Sequence, residues 1–365
     1  MADSSCMVLS DALCEDREGS LSGDALRAGV MPTEAEVARA RRWLHQKAML
    51  IAFTVLVSYA LVLAGDVPWV GRLLAFPVLI VALIMVATSV MHDANHGAFF
   101  AGSTRANHIV GYASDLLGVS SALWRLKHDI HHADANVQGI DPDIDQGAIA
   151  RLAPMQRRRF WHRWQHRYLW PLYGLLGVQW LLVSDFGELV GRYRRAKADP
   201  TLPRLSNAMR AGIFTGKALH FGWAIALPLV WYPWWAVAIG YLSASWCVGV
   251  VLAVTFQVAH CVEEADFVLP DAARRNDAFV WHQLRTTVDV APNRSVFGRL
   301  RSLIVGGLDY QIEHHLAPHI PHTSYAAMAK RLHVACAANG VRYRTHASVS
   351  SAIRSHHRWL RTLST

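Results

Sequence analysis

Four long apolar segments alternate along the chain with polar segments that are rich in histidine and arginine. The apolar segments are 47–64, 73–91, 212–231 and 234–256. An α-helix needs about 20 predominantly apolar residues to cross the hydrocarbon core of a bilayer. Only short turns separate the first two segments and the last two, so the pattern predicts two transmembrane hairpins. The chain is therefore predicted to be an all-α, polytopic, integral membrane protein with about four spans.

Weaker patterns flank and connect these hairpins. Residues 108–126 and 168–184 are apolar but interrupted by Gly, Ser and Asp, so we expect interfacial or half-buried helices there. Residues 1–31 are polar and without periodicity, and they are predicted to be disordered. Thr33 and Glu36 have the spacing of a capping box, which predicts a helix that leads into the first span.

These patterns divide the chain into three parts. Residues 1–44 form a polar N-terminal segment that ends in a helix, residues 45–335 form the membrane domain, and residues 336–365 form a basic C-terminal tail. Five cysteines are scattered without a C-x-x-C pair, so neither a disulfide framework nor a zinc ribbon is predicted.

The distribution of charge predicts how the hairpins lie in the membrane. The net charge of +9 would also fit a nucleic-acid-binding protein, but segment 151–210 alone carries twelve Lys and Arg against three Asp and Glu. Such clustering between apolar segments follows the positive-inside rule, so a nucleic-acid partner is not expected. Both hairpin turns should lie on one side of the membrane, and the termini and all the histidine motifs on the cytoplasmic side.

Eight histidines and one glutamine, beside the ends of the apolar segments, are the candidate metal-binding residues. Residues at i, i+3 and i+4 share one helix face, so their imidazoles can meet one metal centre. Burying unpaired imidazoles beside a bilayer is costly, whereas metal coordination stabilises them in the neutral form. Imidazole suits iron, zinc, copper and nickel, so the spacing alone leaves the metal open. The residues are His92, His96, His128, His131, His132, His260, Gln311, His314 and His315.

These motifs resemble those of the membrane fatty-acid desaturases, the histidine-box diiron family. The resemblance covers residues 45–330 and includes His-x-x-x-His and His-x-x-His-His. Gln311 replaces the first histidine of the last box, and in this respect the motif resembles the front-end and acyl-lipid branch of that family. The other matching positions are Asn136, Gly139, Asp141-Pro142-Asp143, the stretch from Gly306 to His315, Pro318 and Tyr325.

The resemblance implies an O₂-dependent oxidoreductase that introduces a double bond into a fatty acyl chain. It implies two Fe ions as cofactor, the eight histidines as ligands, and Gln311 at a place where many relatives have a histidine ligand. It also implies an acyl substrate carried on lipid, coenzyme A or a carrier protein. Two electrons would come from an external donor, such as ferredoxin or cytochrome b5 with its reductase.

Other polar residues near the boxes receive weaker assignments. Asp93, Asp129 and Glu313 are candidates to orient imidazole N–H groups, with partly solvated charges at helix ends as the alternative. Residues 136–143 are expected to shape the loop after the second box. His319 and His322 are expected to lie outside the metal site. Four more histidines are expected to face lipid headgroups or solvent: His162, His166, His356 and His357.

The aromatic and basic stretch 157–170 leaves two interpretations open. It could bind an anionic carrier such as coenzyme A, phospholipid or acyl-carrier protein, or it could form an interfacial basic belt. Alternatives to a desaturase are a lipid hydroxylase or oxygenase on the same scaffold, a metal transporter and a metal-free membrane scaffold. A transporter would place its ligands within the spans, whereas all eight histidines lie at span ends or beyond them.

Overall fold

Four helices in the computed structural model, which describes residues 22–199, 205–270, 279–290 and 295–365, are long and apolar enough to cross a membrane. They span Glu34–Leu63, Trp69–Asn95, Asn207–Val230 and Trp234–His260. The predicted pair of transmembrane hairpins is therefore confirmed, and the protein is an all-α membrane protein.

Shorter helices surround the four spans, and two strands of two residues each pair in parallel. Segments 108–126 and 168–184 form short, interrupted helices, as predicted. Short π-helical turns lie at Val86–Met91, Trp180–Ser184 and Gly222–Ala226, and 3₁₀ turns lie at Phe160–Trp164, Tyr173–Leu175, Pro228–Val230 and His322–Ser324. The strands are β1 (Asp289–Val290) and β2 (Thr345–His346). The α-helices are α1 (Gly23–Val30), α2 (Glu34–Leu63), α3 (Trp69–Met85), α4 (His92–Asn95), α5 (Thr104–Gly111), α6 (Ala113–Leu116), α7 (Ser121–Ala133), α8 (Gln165–Leu172), α9 (Leu176–Gln179), α10 (Asp185–Ala198), α11 (Asn207–Phe221), α12 (Trp234–His260), α13 (Phe279–Thr286), α14 (Val296–Ile304), α15 (Gln311–Leu316), α16 (Tyr325–Ala338) and α17 (Val349–Thr362).

The first hairpin begins with the predicted capping box. The Thr33 hydroxyl accepts a hydrogen bond from the Glu36 backbone N–H at 3.3 Å, and the Glu36 carboxylate accepts one from the Thr33 N–H at 2.8 Å. Tyr232, in the second hairpin turn, donates a hydrogen bond to the Val62 carbonyl and accepts one from Arg72 at 3.3 Å. The two hairpin turns therefore lie together at one end of the spans, as predicted.

A π-helical turn between α3 and α4 brings the first histidine box to the centre of the fold. The Thr88 hydroxyl in this turn donates a 2.7 Å hydrogen bond to the Ile304 carbonyl. Gly306 has a φ of +64°, and a Cβ there would lie 2.1 Å from the Thr88 carbonyl oxygen. Glycine is therefore required for the loop before α15 to pack against the span.

A buried ion pair fixes the start of α7, which carries the second histidine box. Lys217 and His220 both lie in α11, which begins at Asn207. The Lys217 ammonium contacts the Asp185 carboxylate at 2.5 Å and the Gly118 carbonyl at 2.6 Å. The same carboxylate accepts the Ser120 backbone N–H at 2.9 Å. Breaking one partner would leave a buried charge, so the pair ties α7 firmly to two other helices.

The predicted disorder of residues 1–31 is wrong for α1, whereas residues 1–21 lie outside the described residues. Leu26 and Val30 of α1 are buried against Leu316 and Leu332, so tertiary packing orders this short helix. The segment predicted to be a tail contains α17, whose Leu360 is fully buried. The limits 45 and 335 of the membrane domain stay a prediction, although α16 runs across the second limit.

Two of the histidines expected to face lipid or solvent are instead buried, namely His162 and His356. The His162 ring pairs with the Ala148 carbonyl at 2.9 Å, and His356 Nδ1 donates to the Cys261 carbonyl at 2.7 Å. Hydrogen bonds of this kind compensate for burial of a polar ring, and they were not visible in the sequence because both partners are distant along the chain.

Candidate metal centre

The structure brings together all eight predicted histidines and Gln311 at the ends of the spans opposite the hairpin turns. His92 begins α4, and His96 follows its end. The second box lies on α7, His260 is the last residue of α12, and the final box lies on α15. Every one of these side chains is buried except that of His96, which is half-buried. Four separate elements therefore contribute to one cluster.

One set of imidazoles, which we call the first histidine group, consists of His92, His96, His128 and His314. Each offers one ligand atom, and these atoms lie within 4.8 Å of one another. The ring centroids of His92 and His314 are 4.6 Å apart, and those of His96 and His128 are 4.9 Å apart. The indole of Trp124 stacks on the His128 ring at 4.1 Å. The group therefore has an aromatic wall on one side.

A second set, the second histidine group, consists of His131, His260 and His315. Their ligand atoms also lie within 4.8 Å of one another. The His131 ring centroid is 4.6 Å from that of His260 and 4.9 Å from that of His315. The Gln311 amide nitrogen lies 3.1 Å from His260 Nε2. Gln311 is thus adjacent to this group rather than to the first.

His132 lies between the two groups. Its ring centroid is 4.5 Å from that of His314 and 4.2 Å from that of His315. The three offer ligand atoms within 4.8 Å of one another, so the two histidine groups are continuous. Asn136 supports the second group, because its side-chain amide donates to the His260 carbonyl at 2.9 Å.

Polar side chains hold two rings of the second group from outside. His131 Nδ1 lies 3.0 Å from both carboxylate oxygens of Asp141. His315 Nδ1 lies 2.8 Å from the side-chain oxygen of Gln283, whose amide donates to the His132 carbonyl at 3.0 Å. Such partners fix the ring orientation and direct Nε2 towards the centre of the cluster.

The first group has longer and weaker contacts of this kind. His314 Nδ1 lies 3.2 Å from the Tyr325 hydroxyl, and His92 Nδ1 lies 3.9 Å from Asp93. Asp93 instead accepts two hydrogen bonds from His322, from its backbone N–H at 3.0 Å and from its Nδ1 at 2.9 Å. His322 is therefore occupied outside both histidine groups.

Most of the carboxylates that were expected to orient imidazole N–H groups do not contact the imidazoles of the cluster. Asp129 is exposed. Glu313 is buried, and it contacts Asp289 and Tyr343 rather than an imidazole. Burial and the neighbouring Asp289 raise the pKa of Glu313 well above its usual range. Asp141 was expected only to shape its loop, which it also does by accepting the Asn136 N–H at 2.8 Å.

Three residues that orient imidazole rings were therefore not predicted in that role: Asp141, Gln283 and Tyr325. Asp141 and Tyr325 belong to the matched motif positions, so the resemblance contained a signal for them. Gln283 lies far from every box along the chain, and no local pattern marks it.

The protonation of the cluster favours metal binding. Burial and neighbouring imidazoles lower the pKa of His128, His132, His314 and His315 well below its usual range, so these rings are neutral at pH 7. Burial also acts to lower the pKa of His131, but the Asp141 and Asp143 carboxylates together outweigh it and raise the value to about 9. A cation that binds His131 must therefore displace a proton.

Several ring nitrogens are positioned as metal ligands would be. The Nε2 atoms of His92, His96, His314 and His315 are buried and have no hydrogen-bond partner among the described residues. Neutral imidazoles with unshared inward nitrogens fit metal ions, because coordination offsets the cost of burying them. The donor set consists of nitrogen atoms, which suits iron and other transition metals more than Mg²⁺ or Ca²⁺.

Two cavities of different character border the cluster. An apolar cavity, partly open to its surroundings, reaches His92, and its walls include Trp124, Leu252 and Leu308. A smaller cleft, partly open to its surroundings, borders His131, His260 and Gln311 and also His128 of the first group. Asp143 lies in its wall. Phe256 of α12 lines both. The apolar lining of the larger cavity suits a hydrocarbon chain, and His92 of the first histidine group lies in its wall.

Comparisons with known proteins agree with this geometry. Residues 67–347 match the family described as "Fatty acid desaturase". The sn-1 linoleoyl-lipid 6-desaturase of Arthrospira platensis is 31% identical, over 87% of this chain and 84% of its own. The sn-1 linoleoyl-lipid 6-desaturase of Synechocystis sp. is 32% identical, over 88% of each chain. The acyl-lipid (8-3)-desaturase of Physcomitrium patens is 32% identical, over 74% of this chain and 56% of its own.

Proposed function

The chain belongs to the fatty acid desaturase family, and from this premise we propose that its histidine cluster holds two iron ions and acts on the acyl chains of membrane lipids. The enzyme is an oxidoreductase that introduces a double bond into a fatty acyl chain. The observation that supports the iron centre best is the convergence of eight imidazoles, seven of them buried, in two continuous groups beside an apolar cavity.

We assign the first histidine group to one iron and the second to the other, with His132 between them. The bound irons would supply the one-electron redox chemistry with O₂ that side chains lack. Gln311 would act on the second group through His260 or through a water molecule, since its amide already lies against that ring. This assignment gives the eight histidines the ligand role that the motifs imply and gives Gln311 an indirect role.

The remaining residues would bind and align the substrate. Leu252 and Leu308 would surround the acyl chain and exclude water. Trp124 lies between the cavity and the ring of His128, so it would set how closely the reacting methylenes approach the first group. Asp141 and Gln283 would hold the second group rigid while the substrate binds on the other side.

The relatives' names guide the substrate proposal. Two of them are named for desaturation at position 6 of a linoleoyl lipid, and the third for an acyl-lipid substrate. Together with Gln311 in the last box, this supports an acyl-lipid substrate and a new double bond on the carboxyl side of the chain.

The topology and the electron source complete the proposal. The positive-inside rule would place the histidine boxes on the cytoplasmic side, together with the basic segment 151–210. Ferredoxin, or cytochrome b5 with its reductase, would supply the electrons from that side. The catalytic unit would comprise residues 45–335.

Expression in a host with defined lipids tests the proposal. Fatty acids would be profiled by mass spectrometry, and iron would be measured in the purified protein. We expect a new double bond and two irons per chain, both reduced in His131→Ala. A hydroxylated product would instead support the oxygenase alternative, and zinc in place of iron would exclude the redox role.

A further inference from the structure

Two arginine-rich segments that the metal centre does not use lie together in the fold. Segment 151–170 contains six arginines and segment 349–365 contains three, and neither contains Asp or Glu. Arg158 donates to the Ser364 carbonyl at 3.0 Å, so the segments are in contact. Arg167 and Arg361 are both exposed, and both lie near enough to His166 to lower its pKa. We call Arg158, Arg167 and Arg361 the arginine face.

Aromatic and imidazole rings connect this face with the second histidine group. The Trp170 indole N–H lies 3.3 Å from His357 Nδ1, and its ring centroid is 5.6 Å from that of His356. His356 Nδ1 donates to the Cys261 carbonyl at 2.7 Å, and Cys261 follows His260 directly. Trp170 is half-buried and His356 is fully buried. The path therefore runs from a partly exposed indole to the residue next to a proposed iron ligand.

A second contact fixes the ring of His356, which is the buried ring of this path. The Tyr173 hydroxyl donates to His356 Nε2 at 2.6 Å, so both nitrogens of that imidazole are engaged. The path involves α8, α12 and α17, and α17 packs on both of the other helices. Its geometry therefore depends on tertiary packing that holds the rings close together.

The outer surface of α17 suits an aqueous partner better than a bilayer. None of its described residues is an exposed large hydrophobic side chain, whereas Arg354 and Arg361 are exposed. By contrast, α14 exposes Phe297 by 84% and Val296 by 69%. A helix that rests in a membrane interface presents an apolar face of the α14 kind. The α17 half of the arginine face therefore favours an acidic protein over a lipid surface, whereas segment 151–170 exposes Phe160 by 69% and Trp164 by 43%.

We propose that an acidic one-electron carrier protein docks on the arginine face and that its electrons reach His260 through Trp170 and His356. The proposal rests on the proposed function, because it requires a redox centre that includes His260. For each double bond, –CH₂–CH₂– + O₂ + 2 e⁻ + 2 H⁺ gives –CH=CH– + 2 H₂O. Two reduced carriers are each oxidised by one electron, in successive encounters.

Charge complementarity explains why such a carrier would find this site. Clusters of like charge steer an oppositely charged protein and raise its association rate, and the effect weakens with salt. Small interfaces are typical of electron-transfer partners, which must dissociate after each transfer. The arginine face, with three exposed arginines near the rings of His166 and His357, matches these requirements.

The docking test uses the full chain in phosphatidylcholine nanodiscs, with plant-type ferredoxin and a soluble acidic cytochrome b5 as probes. The double variant Arg167→Glu/Arg361→Glu should weaken carrier binding by roughly tenfold in calorimetry, raise the KM for the carrier similarly and flatten the salt dependence. The matched control is Arg194→Glu/Lys197→Glu, which makes the same change of charge on α10, where both side chains are exposed. The control should bind the carrier as the wild type does.

The path is tested separately by changing Trp170. Trp170→Leu should slow carrier-driven turnover severalfold at saturating carrier, with an unchanged KM for the carrier and unchanged turnover with dithionite. Trp170→Phe loses the same indole hydrogen bonds but keeps an aromatic ring, so it should recover most of the rate. Equal rates in Leu and Phe variants would show that the ring carries no electrons.

The remaining outcomes separate the proposal from its rivals. Equal losses in the double variant and its control would overturn specific docking. Unchanged carrier binding together with weaker binding to phosphatidylglycerol vesicles would make the arginine face a lipid contact. Failure of the wild type to form product with dithionite would contradict the proposed function, whereas calorimetric binding of the carrier would still test the docking surface.

Discussion

The two histidine groups of the cluster are built by different means. The second group is held by direct polar contacts, with His131 3.0 Å from Asp141 and His315 2.8 Å from Gln283. In the first group, the Tyr325 hydroxyl lies 3.2 Å from His314, and His128 is stacked against Trp124. Hydrogen bonds therefore position one group, and packing largely positions the other.

The surroundings of the two histidine groups also differ in polarity. His92 of the first group lies in the wall of an apolar cavity, where polar partners would be costly to bury and where the acyl chain is proposed to bind. The second group borders the smaller cleft with Asp143 in its wall, on the side from which electrons are proposed to arrive. We therefore expect the first group to face the substrate, and the second group to be held rigid and to receive the electrons.

Removing one ligand from each group should have the largest effect. His314 and His315 are neighbours on α15 and belong to different groups, so His314→Ala and His315→Ala form a matched pair. Each should lower product formation by more than roughly a hundredfold, beyond the ~10–100-fold typical of residues that only support a ligand. Each should also reduce the iron content from two per chain to about one.

The exposed His319 provides the control for this pair. His319→Ala should retain wild-type product and iron, measured by lipid mass spectrometry and metal analysis. Retention of product by either His314→Ala or His315→Ala would refute the idea that both groups are needed.

Weakening the support of the second group should have an intermediate effect. Asp141→Asn removes the negative charge that faces His131 Nδ1 but keeps a side-chain oxygen for the loop. We expect a loss of roughly 10–100-fold in iron affinity, measured by competition with a chelator. Asp143→Asn is the control, because Asp143 lies 3.8 Å from His131 and its side chain is 47% exposed. Equal effects of both variants would mean that net charge matters, rather than the Asp141 contact.

The sequence predicted the spans and the meeting of the histidines better than it predicted their support. Long apolar runs and i, i+3, i+4 spacing are local signals, so four spans and the gathering of eight imidazoles followed from them. Support depends on where distant segments pack. Asp129 has the spacing of a box carboxylate but points outward, whereas Gln283 reaches His315 from a separate helix. The order of α1 likewise depends on partners far along the chain.

Narrowing the apolar cavity should weaken substrate binding beside the first group and leave both histidine groups loaded with metal. Leu252→Trp enlarges a cavity-lining side chain on α12. Overpacking costs about 1–3 kcal/mol, and about 1.4 kcal/mol corresponds to a tenfold loss of affinity. Product from a linoleoyl lipid should therefore fall by roughly tenfold through a higher KM, with unchanged iron content. Ile239→Trp, at a position that is 61% exposed on the same helix, should leave the KM unchanged. A fall in iron content in Leu252→Trp would mean that the cavity and the metal groups are not separable.

The smallest effect should come from Tyr325→Phe, which removes the hydroxyl that supports His314. The ring of Tyr325 is 1% exposed and packs against Met328, and Phe preserves that packing. A single neutral hydrogen bond contributes about 1 kcal/mol, so we expect roughly a fivefold fall in turnover with normal iron content. Gln283→Leu should cost more, because Gln283 supports both His315 and the His132 carbonyl. If Tyr325→Phe proved as damaging as Gln283→Leu, the first group would depend on hydrogen bonding as much as the second.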